Sequence, residues 1–289
     1  MPIISKKRIR DFISNSYWYH TIEFPDNLTS AGVYDHRSAL KFYGFPKNLK
    51  GKSVLDVGAA DGFFSFEFEK RGAKSVLAID THKFDGSIGH TDISPAKINN
   101  YKKKYSRYQQ EKGLFKDICQ LFRIKTPIKL LVAKSMLSSA VEFQIDSIYN
   151  LSSWNKKFDF VFCGDLMEHL KNPLEALENL VAVTNEMCVI CLSSCVKSMK
   201  KLPLLISFIL LFERILKKFG FHLIHKESKT LLEYHGNEAG GSFFHFYPKT
   251  FKEMACASGF RKVEIFSEFD LKNKKTGSYN HHVVFHCFV

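Results

Sequence analysis

Between Ser53 and Phe64 the chain reads Ser-Val-Leu-Asp-Val-Gly-Ala-Ala-Asp-Gly-Phe-Phe, and Asp80 closes the apolar run Ser75-Val-Leu-Ala-Ile, 22 positions after Gly58. An apolar strand entering a turn of small residues lets the backbone approach a ligand closely, and the start of the following helix offers N–H groups that have no partner within the helix. A carboxylate at the end of the next strand can accept hydrogen bonds from both hydroxyls of a ribose. Residue type and spacing together point to a nucleotide-type cofactor. A pyrophosphate-binding turn would read G-x-G-x-x-G. Here the turn is Gly58-x-Ala60-x-Gly62, with Asp56 and Asp61 in or beside it. Those carboxylates repel a pyrophosphate and suit a cationic cofactor instead.

The sulfonium and ammonium groups of S-adenosylmethionine fit that demand, and the segment resembles motif I of the class I S-adenosylmethionine-dependent methyltransferases. The resemblance implies a cofactor site formed by Asp56, Gly58, Ala59, Ala60, Asp61, Gly62, Asp80 and Thr81, with Ser147, Ile148 and Gly164 from later strand ends. Trp18-Tyr-His-Thr-Ile-Glu23, Asp35-His-Arg37 and Asp61-Gly-Phe-Phe64 narrow it. So do Ser147-Ile-Tyr-Asn-Leu151, Asp165-Leu-Met-Glu-His-Leu170 with Pro173, and the aromatic stretch Phe243 to Tyr247. These are similar to the bacterial branch related to the enzyme that carboxymethylates the wobble uridine of tRNA. The similarity covers roughly two thirds of the chain, both insertions excluded. Two departures stand out. The wobble-uridine enzymes carry a much longer N-terminal region than the 50 or so residues here. They also place a tyrosine after strand four, which helps hold the extra carboxylate of a modified cofactor, where this chain has Glu168. A glutamate repels that carboxylate, which favours ordinary S-adenosylmethionine.

Methyl transfer is an in-line displacement at a sulfonium carbon, so the chemistry needs alignment and, for a hydroxyl acceptor, removal of a proton. Asp165, Glu168 and His169 follow strand four and are the candidate catalytic groups, His169 being the best base by intrinsic pKa and equally suited to capping or packing on the next helix. Glu168 could instead bind an acceptor hydroxyl or the cofactor's ammonium group. His20, Arg37, His245 and Tyr247 are the candidate acceptor-binding residues.

Placing these residues requires an α/β fold: a seven-stranded, doubly wound, Rossmann-like sheet with a helical N-terminal cap over residues 1–50. The methyltransferase domain then occupies 51–289, interrupted by insertions at about 85–134 and 195–234. The pattern predicts strands at Ser53–Val57, Ser75–Ile79, Val141–Ile145, Phe158–Cys163, Met187–Leu192, Lys262–Phe266 and His282–Phe288. It predicts helices after Gly62, from Asn172-Pro173, and from Pro248 to Gly259. In the cap, Asp35 to Tyr43 reads as a helix stopped by Gly44 and Pro46.

The chain of 289 residues is 45% hydrophobic and 14% aromatic, which excludes wholesale disorder. Its seven cysteines are scattered, and Cys188 and Cys191 sit in an apolar run that reads as a buried strand, so no metal site is expected. The N-terminal residues lack the apolar core of a signal peptide, which gives a cytoplasmic expectation. The net charge of +13 is concentrated: Lys97–Lys134 carries +9 and Lys197–Lys229 carries +6, leaving the framework near −2. Such clusters can hold RNA, an acidic polymer or an anionic membrane surface, or simply solvate lysine-rich faces. Leu202–Phe212 is too short to span a bilayer; Leu204, Phe208, Leu211, Ile215 and Phe219 recur at helical spacing, as in a lid or a membrane-surface helix. The leading expectation is O-methylation of a small molecule or glycan precursor; the alternatives are a tRNA or RNA methyltransferase and a cofactor-binding regulatory module without catalysis.

Overall fold

A computed structural model describes residues 6–80, 128–193, 232–239 and 242–289. Most of both basic insertions, with Thr81 and the apolar stripe from Leu204 to Phe219, lies outside the described residues.

The N-terminal segment corrects the expectation of a helical cap. Helix α1 (Lys6–Asn15) buries Phe12 and Ile13 on one face. After it come four short strands, β1 (Trp18–His20), β2 (Glu23–Phe24), β3 (Leu28–Thr29) and β4 (Gly32–Tyr34). Instead of a helix from Asp35, only Leu40–Tyr43 is helical (α2), closed by Gly44 at φ +62°. The Asp35 side chain accepts from the Arg37 N–H (3.3 Å) and from its guanidinium, a local alternative to helical hydrogen bonding that keeps the first residues out of the helix.

The main sheet follows the predicted pattern closely. Strand β5 (Ser53–Val57) leads into α3 (Phe63–Lys70) and β6 (Ser75–Asp80); α4 (Ile128–Leu137) precedes β7 (Glu142–Ile145). Strand β8 (Phe158–Gly164), helix α5 (Pro173–Val183) and β9 (Thr184–Leu192) complete the parallel part. A hairpin of β10 (Leu232–Ala239) and β11 (Ser242–Phe246) then precedes α6 (Pro248–Ala257), β12 (Lys262–Lys272) and β13 (Tyr279–Phe288). The order is β12-β13-β9-β8-β5-β6-β7, with β5 to β9 parallel and β13 antiparallel to both its neighbours. Chain direction across the sheet reverses between β5 and β8. Ligands of such sheets bind outside the carboxyl ends at that point.

Alternation along each strand splits the core in two. Phe160 and Phe162 of β8 face one layer with Phe64, Phe68, Tyr43 and Phe45, while Val161 and Cys163 face the other with Leu177, Leu180 and Phe251; a register irregularity between Phe158 and Phe160 puts Phe158 in that second layer too. Cys188 and Cys191 of β9 are buried on opposite faces of the sheet in the same way. Asn172 caps α5, its side chain accepting from the Glu175 N–H, and Pro173 takes the first turn as predicted. β12 and β13 run longer than the apolar pattern implied. Phe269 and Leu271 in the extension are buried against the cap, and the Tyr34 hydroxyl accepts from Asn273 and Asn280 at 3.2 and 2.9 Å. The cap, not the sheet, supplies the apolar surface that makes those residues strand.

Candidate functional site

The turn after β5 has the geometry its small residues allow. Gly58, Ala60 and Gly62 all have positive φ, at +81°, +51° and +88°. At Ala60 this left-handed conformation carries a side chain and its strain. The Gly58 and Ala59 N–H groups donate to the Ile79 carbonyl (2.9 and 3.0 Å), and the Ala60 N–H donates to Asp80 Oδ2 at 2.8 Å. Asp80 is 7% exposed, so a buried carboxylate lies against the turn at the end of β6, as a ribose-binding group should. Around β7, the Asp146 N–H donates to the Asp80 carbonyl (3.1 Å), and Ser147 caps the 3-10 turn that buries Ile148. Asp146 gathers the side-chain donors of Asn150, Trp154 and Gln144, and burial is outweighed by these bonds, leaving its carboxyl below the usual range. A side chain at Gly58 would press on Leu166, 3.2 Å away, so the turn touches the loop after β8.

The two acidic residues flanking the turn have other work. Asp56 is fully enclosed, accepts from the Ser65 hydroxyl on α3, and is raised by burial to ionise at about 7. A carboxyl that ionises near 7 instead of near 4 disfavours its own charged form by roughly 4 kcal/mol at most. Its folded pKa lies above its unfolded value, so wild-type stability falls as pH rises from about 4 to about 7 through this group. Asp56→Asn should therefore gain stability relative to wild type across that window, read by urea denaturation at pH 5 and pH 8. An equal difference at both values would contradict the assignment. Asp61 turns to the cap: its Oδ2 accepts from the Tyr19 and His20 N–H groups, both at 2.9 Å, and its Oδ1 pairs with His20 Nδ1.

Beyond β8 lie Gly164, then Asp165 at φ +49°, a strained conformation for aspartate, held by its N–H on the Cys191 carbonyl (2.9 Å). Glu168 is fully buried; its Oε1 accepts from the Ser193 N–H at 3.0 Å and from the Ser193 hydroxyl. Asp165 Oδ1 and Glu168 Oε2 are buried and have no hydrogen-bond partner among the described residues. His169, by contrast, is exposed in the 3-10 turn Met167–His169. Two residues that were not among the candidate site residues complete the cluster. His282 Nε2 lies 3.5 Å from Asp165 Oδ2, and buried His36 bonds the Tyr43 hydroxyl at 2.8 Å. The signal for His282 was there: a histidine pair, His281 and His282, directly before the apolar run Val283-Val-Phe285 of the final strand. The Tyr19 phenol is raised well above its usual value by burial and by the Asp165 charge, and so remains a donor.

The four candidate acceptor-binding residues each have their own partners. His20 is buried on Asp61 and stacked on Phe63, with ring centroids 5.5 Å apart. Arg37 is exposed, forked on Asp35 and paired with Glu23, beside a cleft of about 400 Å³ lined by Ile22, Phe63 and Leu137. In the hairpin, His245 lies 4.0 Å from Glu233 and the Tyr247 hydroxyl donates to the same carboxylate at 3.3 Å. The hairpin packs through β11 on the Met167–His169 turn, placing this pair beside the loop after β8.

A methyltransferase domain family model matches residues 34–265. The chain belongs to the methyltransferase domain family. Its members use S-adenosylmethionine, and the turn and Asp80 fit that cofactor: a close backbone approach at Gly58 to Gly62 and a buried carboxylate able to accept from a ribose. Curated relatives include tRNA U34 carboxymethyltransferases from Campylobacter hominis and Nautilia profundicola. Each is 21% identical over 138 residues, covering 48% of this chain and 34% or 32% of theirs. The methyltransferase chain thus spans about a third of the length of those relatives. Among solved structures, the N-terminal domain of EvdMO1 with SAH bound is similar at a TM-score of 0.52 and 12% identity, covering 99% of this chain and 98% of that one. A second structure of that domain, in the presence of SAH and D-fucose, gives 0.50 and 13%, covering 98% and 94%. Both likenesses extend over nearly the whole chain and concern its fold. No helix among the described residues is long and apolar enough to cross a membrane.

Proposed function

We propose that the chain transfers the methyl group of S-adenosylmethionine to a hydroxyl of a small molecule or glycan precursor. The observation that carries this reading is the pair of buried carboxylate oxygens without partners among the described residues, Asp165 Oδ1 and Glu168 Oε2, at the carboxyl ends of the central strands. An unsatisfied buried acceptor costs about 1–3 kcal/mol, more when charged, so the site calls for donors. A hydroxylated acceptor supplies them, and an anionic one is repelled. The cofactor supplies an electrophilic methyl; Gly58 to Gly62 and Asp80 hold its nucleoside, while Asp165 and Glu168 orient the acceptor. His169, in the turn that β11 covers, and the Glu233-bound pair of His245 and Tyr247 border that acceptor. The EvdMO1 domain, studied with the sugar D-fucose, offers a compatible precedent on a similar fold.

RNA methylation is the second reading. It is favoured by the +9 segment Lys97–Lys134, which lies in the sequence between Asp80 and β7, and by the tRNA-modifying relatives. Incubation with methyl-labelled S-adenosylmethionine and, separately, the small-molecule fraction and total RNA of a cell extract distinguishes them. The proposal expects label in the small-molecule fraction. Label in RNA supports the second reading, and cofactor binding with no transfer to either supports a regulatory module. The carboxylated cofactor analogue should compete no better than S-adenosylmethionine, because Glu168 stands where the wobble-uridine enzymes have tyrosine. A strong preference for the analogue in a competition titration would restore the wobble-uridine assignment.

A further inference from the structure

His282 enters the site from β13, outside every motif that marks the cofactor turn. Its Nδ1 lies 2.9 Å from the Asn280 carbonyl oxygen, which only accepts, so Nδ1 carries hydrogen and Nε2 is the nitrogen that gains or loses a proton. Nε2 is the atom 3.5 Å from Asp165 Oδ2. The ring is fixed by stacking on Phe269, with centroids 4.9 Å apart and planes 9° from parallel, and meets the His36 ring edge-on at 6.4 Å. Asp165 is held in a left-handed conformation at φ +49°, and its other oxygen, Oδ1, is buried with no hydrogen-bond partner among the described residues. A strained carboxylate with one oxygen on an oriented imidazole and the other unpaired is arranged to meet a proton donor.

We propose that Asp165 and His282 form one proton-accepting pair, Asp165 touching the acceptor hydroxyl and His282 positioning that carboxylate and holding the proton. This rests on the hydroxyl-methylation reading above. Before transfer His282 Nε2 carries no proton. The acceptor oxygen forms its bond to the methyl carbon while the carbon–sulfur bond breaks, its electron pair remaining on sulfur. The hydroxyl proton leaves to Asp165 Oδ1, and rotation of the carboxyl about its Cβ–Cγ bond carries it to His282 Nε2, so the unit of positive charge lost at sulfur is taken up by the pair as that proton. Glu168 from the turn and His36 from the cap also face His282, and the phenols of Tyr19, Tyr34 and Tyr43 surround Asp165. Burial alone would lower His282, but the Asp165 charge and hydrogen bond, with Asn280 and Glu168, outweigh it and raise the imidazole. His36 is pushed well down by burial and by His20 and His282, so it stays neutral and does not compete for the proton.

The test measures transfer from methyl-labelled S-adenosylmethionine to the small-molecule fraction of a cell extract across pH, for wild type, His282→Gln and Asp165→Asn. SAH affinity serves as the check on folding. Wild type should lose activity on the acid side with a midpoint above the ordinary histidine value. His282→Gln should cut the maximal rate about 100-fold or more, abolish that acid limb and leave the half-saturating amount of acceptor within about threefold. A wild-type pH profile in His282→Gln, or a loss confined to acceptor affinity, overturns the pair. Absence of transfer to this fraction by wild type overturns the hydroxyl reading itself, and the pair's role with it. Should His282→Gln fail to bind SAH, NMR titration of the His282 ring in wild type and Asp165→Asn decides. The midpoint should fall in the variant, and an unmoved midpoint overturns the pair.

Discussion

Asp61→Ala should detach the N-terminal cap from the cofactor turn and destabilise the protein by about 3–5 kcal/mol, the scale for removing one partner of a buried pair. One carboxylate, itself 2% exposed, takes the Tyr19 N–H, the His20 N–H and the His20 ring. With alanine there, buried donors lose their acceptor and no water replaces it without opening β1. Urea denaturation should show the loss. Hydrogen exchange should show its origin, with amides of residues 18–20 exposed while those of β8 and β9 stay protected. Wild-type protection at residues 18–20 in the variant would mean that the carboxylate does not hold the cap.

The second large effect belongs to Gly32. Its backbone is not left-handed, so replacement by alanine would ordinarily be mild or even stabilising through the unfolded chain. Here β1 and β4 run parallel with Trp18 opposite Gly32, and an added Cβ would stand 2.1 Å from the His20 carbonyl carbon and 2.2 Å from the Thr21 nitrogen. Neither is the end of a flexible side chain. The strands must separate, breaking the Thr21 N–H bond to the Tyr34 carbonyl (2.8 Å) and loosening His20 from Asp61. Gly32→Ala should cost about 4 kcal/mol or more, among the largest effects of single substitutions. A melting temperature within 2 or 3 °C of wild type, where about 1 kcal/mol would already move it by about 2–4 °C, would contradict the close approach.

Both effects lie in the region the sequence described least well. Strands β5, β6, β8 and β9 announce themselves as apolar runs bounded by glycine and polar residues, and Asn172-Pro173 and Pro248 mark helix starts by local chemistry alone. The cap has no such periodicity. Its elements depend on partners distant in sequence, Asp61 for β1 and Phe269 for α2, while Tyr34 of the cap in turn ties down the extension of β12 and β13. The same division runs through the site. Gly58, Gly62 and Asp80 are legible because close backbone approach and ribose recognition impose residue types at fixed spacing. Asp61 was legible as acidic but not as the clamp of the cap, since its partners sit more than 40 residues upstream. His282 reaches Asp165 only through the antiparallel return of β13, a placement that local pattern does not encode.

On this reading Gly58 to Gly62 and Asp80 bind S-adenosylmethionine. Calorimetric titration of wild type and Asp80→Ala with S-adenosylmethionine tests it most directly. Wild type should bind one cofactor per chain, and the variant should bind it more weakly by about 1–3 kcal/mol, the worth of hydrogen bonds to a charged group. No binding by wild type, or the same affinity in the variant, would contradict the claim.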